Sequence, residues 1–543
     1  MTTKVPPRSE LLTAMKAAME RVPALAADGR ERTVREVTSR LAAQGVPGAA
    51  LLAKADRATL ETLRAQVLRD GFSAAPVRSV GDTARLPGPS RTAVVSGGSY
   101  TGLLAAAALA KGGYQVTVLE PRPQHTRDIR LSLRQGTLDM LAAVDPQLAA
   151  EVAAKASPLD AADAKALKLP GSGQFVPLKG QTEGRHAPDA AQAPATGAAL
   201  MATPFTHVIV ASDLEEVIEA YVRRTFPKQV TVLEGKLHAE PRADGQVTWG
   251  LERKGKDGAP VVEDFLHGAR PGLVIVAEGA GSSTRAALGI ESAASTPTQE
   301  WTAGVVHAPD PSVAPGHASI HSLLDKAAEG TTRGVALADR SATWVLAQSR
   351  PGFEPDSAAP QEQIDAQFYA TAAVVTGQPE STLRRAGATG PIRRDGSVPT
   401  LFELQGKASR DAALTVGDTV VGFIGDSVLT STFQVGGGMN GALGEVETVM
   451  TLAADLQSGV SPKDAAQRFE TSVFERADAW SAAGIPFFYE TSSREETQAL
   501  VQAHLEALAQ FRASGGASPL ERLQAMLAQV SVASEPLGLP LAA

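Results

Sequence analysis

Residues 93–120 read AVVSGGSYTGLLAAAALAKGGYQVTVLE, and this stretch decides the fold. Ala93–Ser96 is a short apolar run, followed by Gly97, Gly98 and Gly102 in a turn. Leu103–Lys111 is an Ala/Leu-rich helix that Gly112 and Gly113 stop, and Gln115–Leu119 is a second strand. The pattern predicts a βαβ unit able to hold an ADP moiety. Its glycines admit the backbone to a pyrophosphate, and its helix N-terminus offers N–H groups and positive potential. Glu120, at the end of the second strand, is placed to bond ribose hydroxyls; Pro121 and Arg122 follow it as further candidates. Ser99 stands where the usual middle glycine of G-x-G-x-x-G belongs, with Tyr100 and Thr101 completing the turn. The serine adds a side chain near the phosphates, but its hydroxyl can donate to one. The alternative is an ordinary βαβ turn with no ligand.

Composition bounds the rest. At 543 residues the chain is too long for one ordinary domain, and two or three are expected. It is 43% hydrophobic and 20% charged, which fits a globular protein. A net charge of −8 gives no basic surplus for nucleic acid or an anionic membrane. No cysteine is present, which excludes disulfides, thiolate metal sites and cysteine nucleophiles. Nine histidines are scattered without an H-E-x-x-H pattern, so no metal site is expected. No run is long enough to span a bilayer, MTTKVPPRSE lacks the apolar core of a signal peptide, and a cytoplasmic location is the default expectation.

Along the chain, helical spacing over residues 8–72 and a linker ending in LPGPS predict a helical extension over 1–90. That extension reads as a packing or oligomerisation appendage, with partner docking as the minority alternative. Residues 181–204 are Ala/Pro/Gly-rich and predict a long loop. His207–Val210 reads as a strand and Leu214–Val222 as a helix. Val230–Leu233, Val247–Leu251 and Val261–Leu266 are expected to be antiparallel strands. Trp301–His307 and Ala342–Gln348 are further strands, and residues 359–388 are helical. Beyond Gly441, helices are expected over Leu443–Leu456, Pro462–Ala482, Arg494–Arg512 and Pro519–Val530.

Two more motifs follow the first. The apolar run Leu273–Ala277 leads into Glu278-Gly279-Ala280-Gly281-Ser282-Ser283-Thr284-Arg285. Val420–Ile424 leads into Gly425-Asp426, and Gln434-Val435-Gly436-Gly437-Gly438-Met439-Asn440 opens a helix at Gly441. An acid after a strand is often only a helix cap, and a glycine triplet can be a flexible loop. The order and spacing of the three together are more specific.

This constellation resembles the FAD-dependent aromatic hydroxylases, the single-component flavoprotein monooxygenases typified by para-hydroxybenzoate hydroxylase. The resemblance covers roughly residues 92–455. It implies an α/β protein: a Rossmann-like FAD-binding domain, an interleaved antiparallel-sheet substrate domain, and extra helical segments at both termini. The FAD-binding domain is expected in three parts, 91–180, 271–295 and 416–458. Residues 181–270 hold a loop with elements of both domains, 296–415 the substrate sheet and 459–543 the C-terminal helices.

By this resemblance, Gly97, Ser99, Gly102 and Glu120 match the ADP-binding turn and ribose acid. Arg130, with Arg134 second, matches the arginine that reaches the FAD ribose and pyrophosphate. Glu278, Gly279 and Arg285 match a central segment serving FAD and the reduced nicotinamide. Gly425 and Asp426 match the pair whose aspartate holds the ribityl chain. Gly436, Gly437, Gly438, Met439 and Asn440 match the loop and helix N-terminus beneath the flavin ring. Glu278 replaces the usual aspartate, and the family's histidine and proline pair after Asp426 are missing, which alters the substrate-facing side.

The implied activity consumes NADPH or NADH and molecular oxygen. Through a flavin hydroperoxide, it hydroxylates or epoxidises an organic small molecule such as an aromatic or polyketide-like secondary metabolite. The alternative is a flavin-dependent reductase of the same fold acting on an unsaturated or isoprenoid substrate. A flavin halogenase is less favoured, because W-x-W-x-I-P is absent. Trp301, His307, Trp344, Thr432, Phe433 and Gln434 are the substrate-cavity candidates, and His317 and His321 flank a strand where they can polarise a phenol. The bland alternatives are core tryptophans and sheet-surface histidines.

Overall fold

The computed structural model describes residues 91–159, 203–242, 245–255, 257–308, 316–323, 334–339, 341–349, 360–390, 398–430, 437–485, 488–489, 494–514, 516–517, 519 and 521–526. The chain divides between Leu86 and Pro87, and every described residue follows that division. The expected N-terminal helices, nearly all of the 181–204 loop, Gly436 and the turn Thr432–Gln434 lie outside the described residues.

The expected α/β architecture is present, and its centre is the opening βαβ unit. Strand β1 (Thr92–Ser96), helix α1 (Tyr100–Lys111) and strand β2 (Gln115–Glu120) begin it. Next come β3 (Arg130–Arg134), α2 (Gln135–Val144), α3 (Pro146–Lys155), β4 (Ser157–Pro158), β5 (Phe205–Val210) and α4 (Ala211–Thr225). Strands β6 (Val230–Glu234), β7 (Lys236–Pro241), β8 (Val247–Lys254), β9 (Pro260–Glu263) and β10 (Leu273–Val276) follow, then helix α5 (Ser283–Ala287). The middle of the chain forms β11 (Ser292–Ala294), β12 (Gln299–Val306), β13 (Ser319–Leu323), β14 (Gly334–Ala338) and β15 (Thr343–Gln348). Helices α6 (Pro360–Thr376) and α7 (Glu380–Ala386) lead to β16 (Ala388–Thr389), β17 (Thr400–Leu404), β18 (Lys407–Ser409), β19 (Ala413–Val416), β20 (Thr419–Phe423) and β21 (Leu429–Thr430). Helices α8 (Ala442–Gln457), α9 (Pro462–Gly484) and α10 (Arg494–Ser514) end the list.

The main sheet has the order β19-β20-β10-β1-β2-β6. Its pairs are parallel except for β19 against β20. Parallel strands covered on both faces need continuous apolar runs, and β10 and β20 are buried throughout. Helix α1 is buried from Thr101 to Ala110. Its alanines let it sit close to the sheet with α4 and α8 against it. One expectation changes here: Val230–Leu233 is not antiparallel. Strand β6 joins β2 in parallel, Val116 opposite Val230, and so completes the main sheet. Strands β7, β8 and β9 do pair antiparallel, and the first two send Leu237, Ala239, Trp249 and Leu251 into the same core.

The second large sheet, β13-β14-β15-β12-β16 with β17 also on β12, is antiparallel. Alternation splits its residues between two faces. Trp301, Ala303, Val305, Trp344 and Leu346 pack on one side with Phe205 and Val208 of β5. Val345 and Ala336 pack on the other with Phe368, Ala372 and Val375 of α6. Gly304 is required there, since a Cβ on it would lie 2.8 Å from Phe368 Cζ. The small sheet β3-β5-β4 thus carries a contact between the second large sheet and the core of the main sheet. At the C-terminal side, α9 packs against β19, β20 and α8, and α10 packs on α9.

Candidate active site

The carboxyl ends of β1, β2, β10 and β20 open into one cleft of about 270 Å³. From β1 the chain crosses to β2 on one side, and β10 and β20 return on the other, so the cleft lies at a topological switch point. All three sequence motifs reach it. Ser96, Gly97, Ser99, Tyr100, Thr101, Glu120, Pro121 and Arg122 come from the first. Glu278 and Gly279 come from the second, and Gly425, Asp426 and Gly438 from the third.

The turn after β1 cannot tolerate side chains. Gly97 has φ +102°, and a Cβ on it would lie 2.4 Å from the Ala277 carbonyl oxygen. A Cβ on Gly102 would lie 1.8 Å from the Gly97 carbonyl oxygen, so helix and strand touch backbone to backbone. Ser99 is the N-cap of α1 but its side chain makes no capping bond, leaving the hydroxyl at the cleft wall. Burial, with Asp426 nearby, raises the pKa of the Tyr100 phenol.

Glu120 accepts from the Gly98 N–H at 2.8 Å and from the Arg122 N–H at 2.9 Å. Arg122 Nε adds a third bond at 2.8 Å and Nη2 a fourth at 3.1 Å. Burial opposes this charge, but the guanidinium and the N–H donors outweigh it and hold the carboxyl below its ordinary range. Behind them, Arg122 Nη2 lies 3.5 Å from Glu215, a fully buried acid. His125 stands between Glu215 at 3.2 Å and Glu219 at 2.7 Å. Burial disfavours the imidazolium, yet the two glutamates lift its pKa to about 9.

Glu278 is committed within its own turn. It accepts from Ser96 Oγ at 2.6 Å, Ser282 Oγ at 2.8 Å, the Thr284 N–H at 3.0 Å and Thr284 Oγ1 at 2.5 Å. The helix-cap alternative therefore describes its bonding, while its edge still lines the cleft. Arg285 is buried and does not line the cleft. Its Nη1 donates to the Ser427 carbonyl at 2.6 Å and its Nη2 to the Ala280 carbonyl at 2.7 Å. The Gly279 N–H donates to Ser427 Oγ at 3.0 Å. The second motif is thus stitched to the third.

In the third motif, Gly425 adopts φ +64° and turns Asp426 into the cleft. Burial raises the Asp426 pKa to about 6, against the pull of the Arg127 guanidinium. Glu445, in the first turn of α8, reaches back and accepts from the Gly425 N–H at 2.6 Å. Burial raises its pKa to about 8. A π-helical turn, Gly437–Gly441, leads into α8. Gly438 faces the cleft, and a Cβ there would find only Asp426 Oδ1 nearby, at 3.8 Å. Met439 is buried in the main core. Asn440 ties the turn to the β3–α2 corner: its Oδ1 accepts from the Arg134 N–H at 3.1 Å and from Thr137 Oγ1 at 2.7 Å, and its Nδ2 donates to the Ser132 carbonyl at 2.9 Å.

The arginine expectations need correction. Arg130 is buried, bonding Asp339 at 3.1 Å and the Asp128 carbonyl at 2.6 Å. Arg134 donates to the Thr203 carbonyl at 2.6 Å and stacks 4.0 Å above the Phe205 ring. Neither lines the cleft; Arg127 does. Its position follows from the bend between β2 and β3, where its carbonyl accepts from the Ser212 N–H, and no local motif marks it. The substrate candidates also divide. Trp301 and Trp344 are core residues of the second sheet, on the face toward β5. His307 is exposed and bonds Thr389 Oγ1 at 3.1 Å. His321 lies within β13 rather than beside it.

These residues fit FAD. A Cβ-free turn at a helix N-terminus accommodates a pyrophosphate, a carboxylate held ionised at the end of β2 accepts ribose hydroxyls, and Asp426 offers an acceptor at the far wall. Among the described residues no group of acids and histidines is arranged to hold a metal ion. Among them, too, no helix is long and apolar enough to cross a membrane.

A family model described as an FAD binding domain matches residues 90–383, more than half of the chain. No curated protein sequence matches it. Solved structures do. The p-nitrophenol 4-monooxygenase PnpA from Pseudomonas putida DLL-E4 is 16% identical, with a TM-score of 0.50 over 80% of this chain and 98% of its own. The anhydrotetracycline hydroxylase OxyS from Streptomyces rimosus is 13% identical, with a TM-score of 0.48 over 83% and 77%. The Diels-Alderase PyrE3 of pyrroindomycin biosynthesis is 15% identical, with a TM-score of 0.46 over 83% and 82%. The family match, on a chain whose three motifs meet in one cleft, shows that this protein belongs to the FAD binding domain family.

Proposed function

We propose that this protein is an NAD(P)H-consuming FAD monooxygenase that inserts one oxygen atom, by hydroxylation or epoxidation, into an organic small molecule. The observation that carries the reading is the convergence of three distant sequence motifs on one cleft, in a fold that also carries a large antiparallel sheet. When bound, FAD supplies hydride acceptance from the nicotinamide and activation of oxygen.

The chain's own residues supply the rest. The Gly97–Gly102 turn and the α1 N-terminus receive the pyrophosphate, with Ser99 Oγ as an added donor and Arg127 as the cation. Glu120, locked by Arg122, accepts the ribose hydroxyls. Asp426 would accept hydroxyls of the ribityl chain, and the start of α8 after the Gly437–Gly441 turn would favour negative charge on a bound flavin. Gly279 lies at the cleft wall, with Glu278 and Arg285 fixing its turn. The apolar layer of Trp301, Trp344, Phe205 and Val208 joins the second sheet to β5. The substrate lies on the side of the second sheet.

The test is direct. Purified protein is expected to be yellow and to release intact FAD on denaturation. In air, with NADPH or NADH, a substrate from an aromatic and polyketide-like panel stimulates nicotinamide oxidation and gains the mass of one oxygen. Flavin bleaching with reduced, oxygen-free product moves the reductase reading ahead. A colourless protein that FAD cannot reconstitute overturns the assignment.

A further inference from the structure

Two carboxyl groups belong to the turn at Gly425, the partly buried Asp426 and the buried Glu445, and only one of them faces the cleft. Asp426 lines it; Glu445 does not. Glu445 is 4% exposed and grips the Gly425 N–H at 2.6 Å, so it holds the residue immediately before Asp426. The grip matters because Gly425 sits at φ +64° and packs against Ala442, on the same helix as Glu445.

Among the described residues neither carboxyl has an ion-pair partner. Arg476 of α9 is the cation nearest in effect to Glu445, but it is committed to the Gly444 carbonyl at 3.1 Å and to Glu447 at 2.8 Å. Arg127 acts on Asp426, and Tyr100 of α1 faces the same acid. On its own helix, the Glu445 carbonyl accepts from Thr448 Oγ1. Ionising both acids would place two like charges that act on each other at one turn, with no ion-pair partner for either among the described residues. One proton between them relieves this. Asp426 is the one to lose its proton, since it faces the cleft and Arg127.

We propose that Glu445 is a positioning residue of the cofactor cleft: as a neutral acid it fixes the Gly425–Asp426 turn and lets Asp426 alone carry the charge that accepts the cofactor's hydroxyls. The proposal rests on the FAD reading of this cleft. Its consequence is that cofactor affinity falls at alkaline pH as Glu445 ionises beside Asp426. With Glu445 titrating at about 8, its neutral fraction drops roughly tenfold between pH 7 and pH 9, and affinity follows.

The experiment measures FAD binding to the full chain by flavin fluorescence from pH 6.5 to 9.5, for the wild type, Glu445→Gln and, as a control for the other alkaline group near the cleft, His125→Gln. The wild type loses about tenfold in affinity from pH 7 to pH 9. Glu445→Gln, a neutral isostere, stays within about threefold of the wild type at pH 7 and is flat to pH 9, while His125→Gln keeps the decline. A Glu445→Gln profile that falls in parallel with the wild type overturns the proposal, as does a decline abolished by His125→Gln alone. A wild type that binds no FAD at any pH overturns the cleft assignment and this proposal with it. Should Glu445→Gln fail to fold, calorimetry on the wild type decides. Binding of FAD at pH 8.5, in buffers of different ionisation heat, takes up a fraction of a proton, and no uptake overturns the proposal.

Discussion

Arg285 Nη1 donates to the main-chain carbonyl of Ser427 at 2.6 Å, joining two motifs 142 residues apart in sequence. Through Nη2 the same guanidinium holds the Ala280 carbonyl at 2.7 Å. Both loops line the cleft, so Arg285 sets the spacing of its two walls without touching what binds between them. Burial lowers its pKa, with the Glu278 charge opposing, but an arginine stays cationic at any working pH.

Arg285→Ala leaves two carbonyls without their donor in a poorly solvated place. We expect a loss of about 2–3 kcal/mol in stability, with weakened FAD retention as the walls separate. Arg285→Lys restores the charge but not the fork, and recovers less than half of the loss. Denaturant melts of the apo-protein, read beside FAD release from the holo-protein, check both effects. A variant with wild-type stability would deny the arginine its role as a strut.

Asp426 gives the contrasting case, a residue placed in the cleft and not in its walls. Asp426→Asn keeps the shape and removes the charge. It is expected to weaken FAD binding roughly tenfold, about the value of one charge-assisted hydrogen bond, with little change in apo-protein stability. The paired readout separates it from Arg285→Ala, where both quantities fall. Equilibrium dialysis with FAD and an apo-protein melt are sufficient; retention unchanged in Asp426→Asn would remove Asp426 from the cofactor's contacts.

His125 makes stability depend on alkaline pH. Its pKa in the fold is about 9 against 6.5 for a free imidazole, so the native state holds the proton more tightly. Its contribution is complete below pH 6.5 and is lost as pH rises through 9. The same deprotonation leaves Glu215 facing Arg122 alone. In melts from pH 6 to 10, His125→Gln should therefore show a shallower alkaline decline than the wild type. Equal slopes would mean that the glutamates do not hold the imidazolium.

Much of this was legible in sequence, and the reasons are local. The run from Ala93 to Glu120 carries its own strand, turn and helix signals, because a backbone approach as close as that of Gly102 to Gly97 demands glycine. Gly425-Asp426 was readable for a similar reason: a buried run ends in a residue of positive φ. Arg127 was not, because its place in the cleft depends on how the chain bends between β2 and β3. Glu445 was hidden as an ordinary acid in the first turn of a helix, and only the tertiary contact with Gly425 gives it a role. Periodicity is blind to strand direction, so the sequence of Val230–Leu233 leaves its sense open and pairing with β2 decides it.

The C-terminal helices carry a titration of opposite sign to that of His125. His504 on α10 is fully buried, and its Nε2 lies 2.7 Å from Ser481 Oγ on α9. Burial, with Arg512 close by, lowers its pKa to about 3. A neutral imidazole is what the packing accepts, so the unfolded chain binds the proton more readily. The contribution is complete above pH 6.5 and is lost as pH falls toward 3. Acid should therefore loosen α10 from α9, while the Asp478–Arg512 pair at 2.7 Å resists until the aspartate itself is protonated. His504→Gln keeps a hydrogen-bonding partner for Ser481 and removes the titration. It is expected to flatten the acid limb of stability between pH 6.5 and 4 while leaving the alkaline limb, which His125 governs, unchanged. Limited proteolysis after the α9–α10 connection reports the first opening, and a melt reports the rest. Proteolysis of the wild type that does not accelerate on acidification would show that α10 is held by its apolar contacts of Leu500, Val501 and Ala507 without help from the neutral histidine.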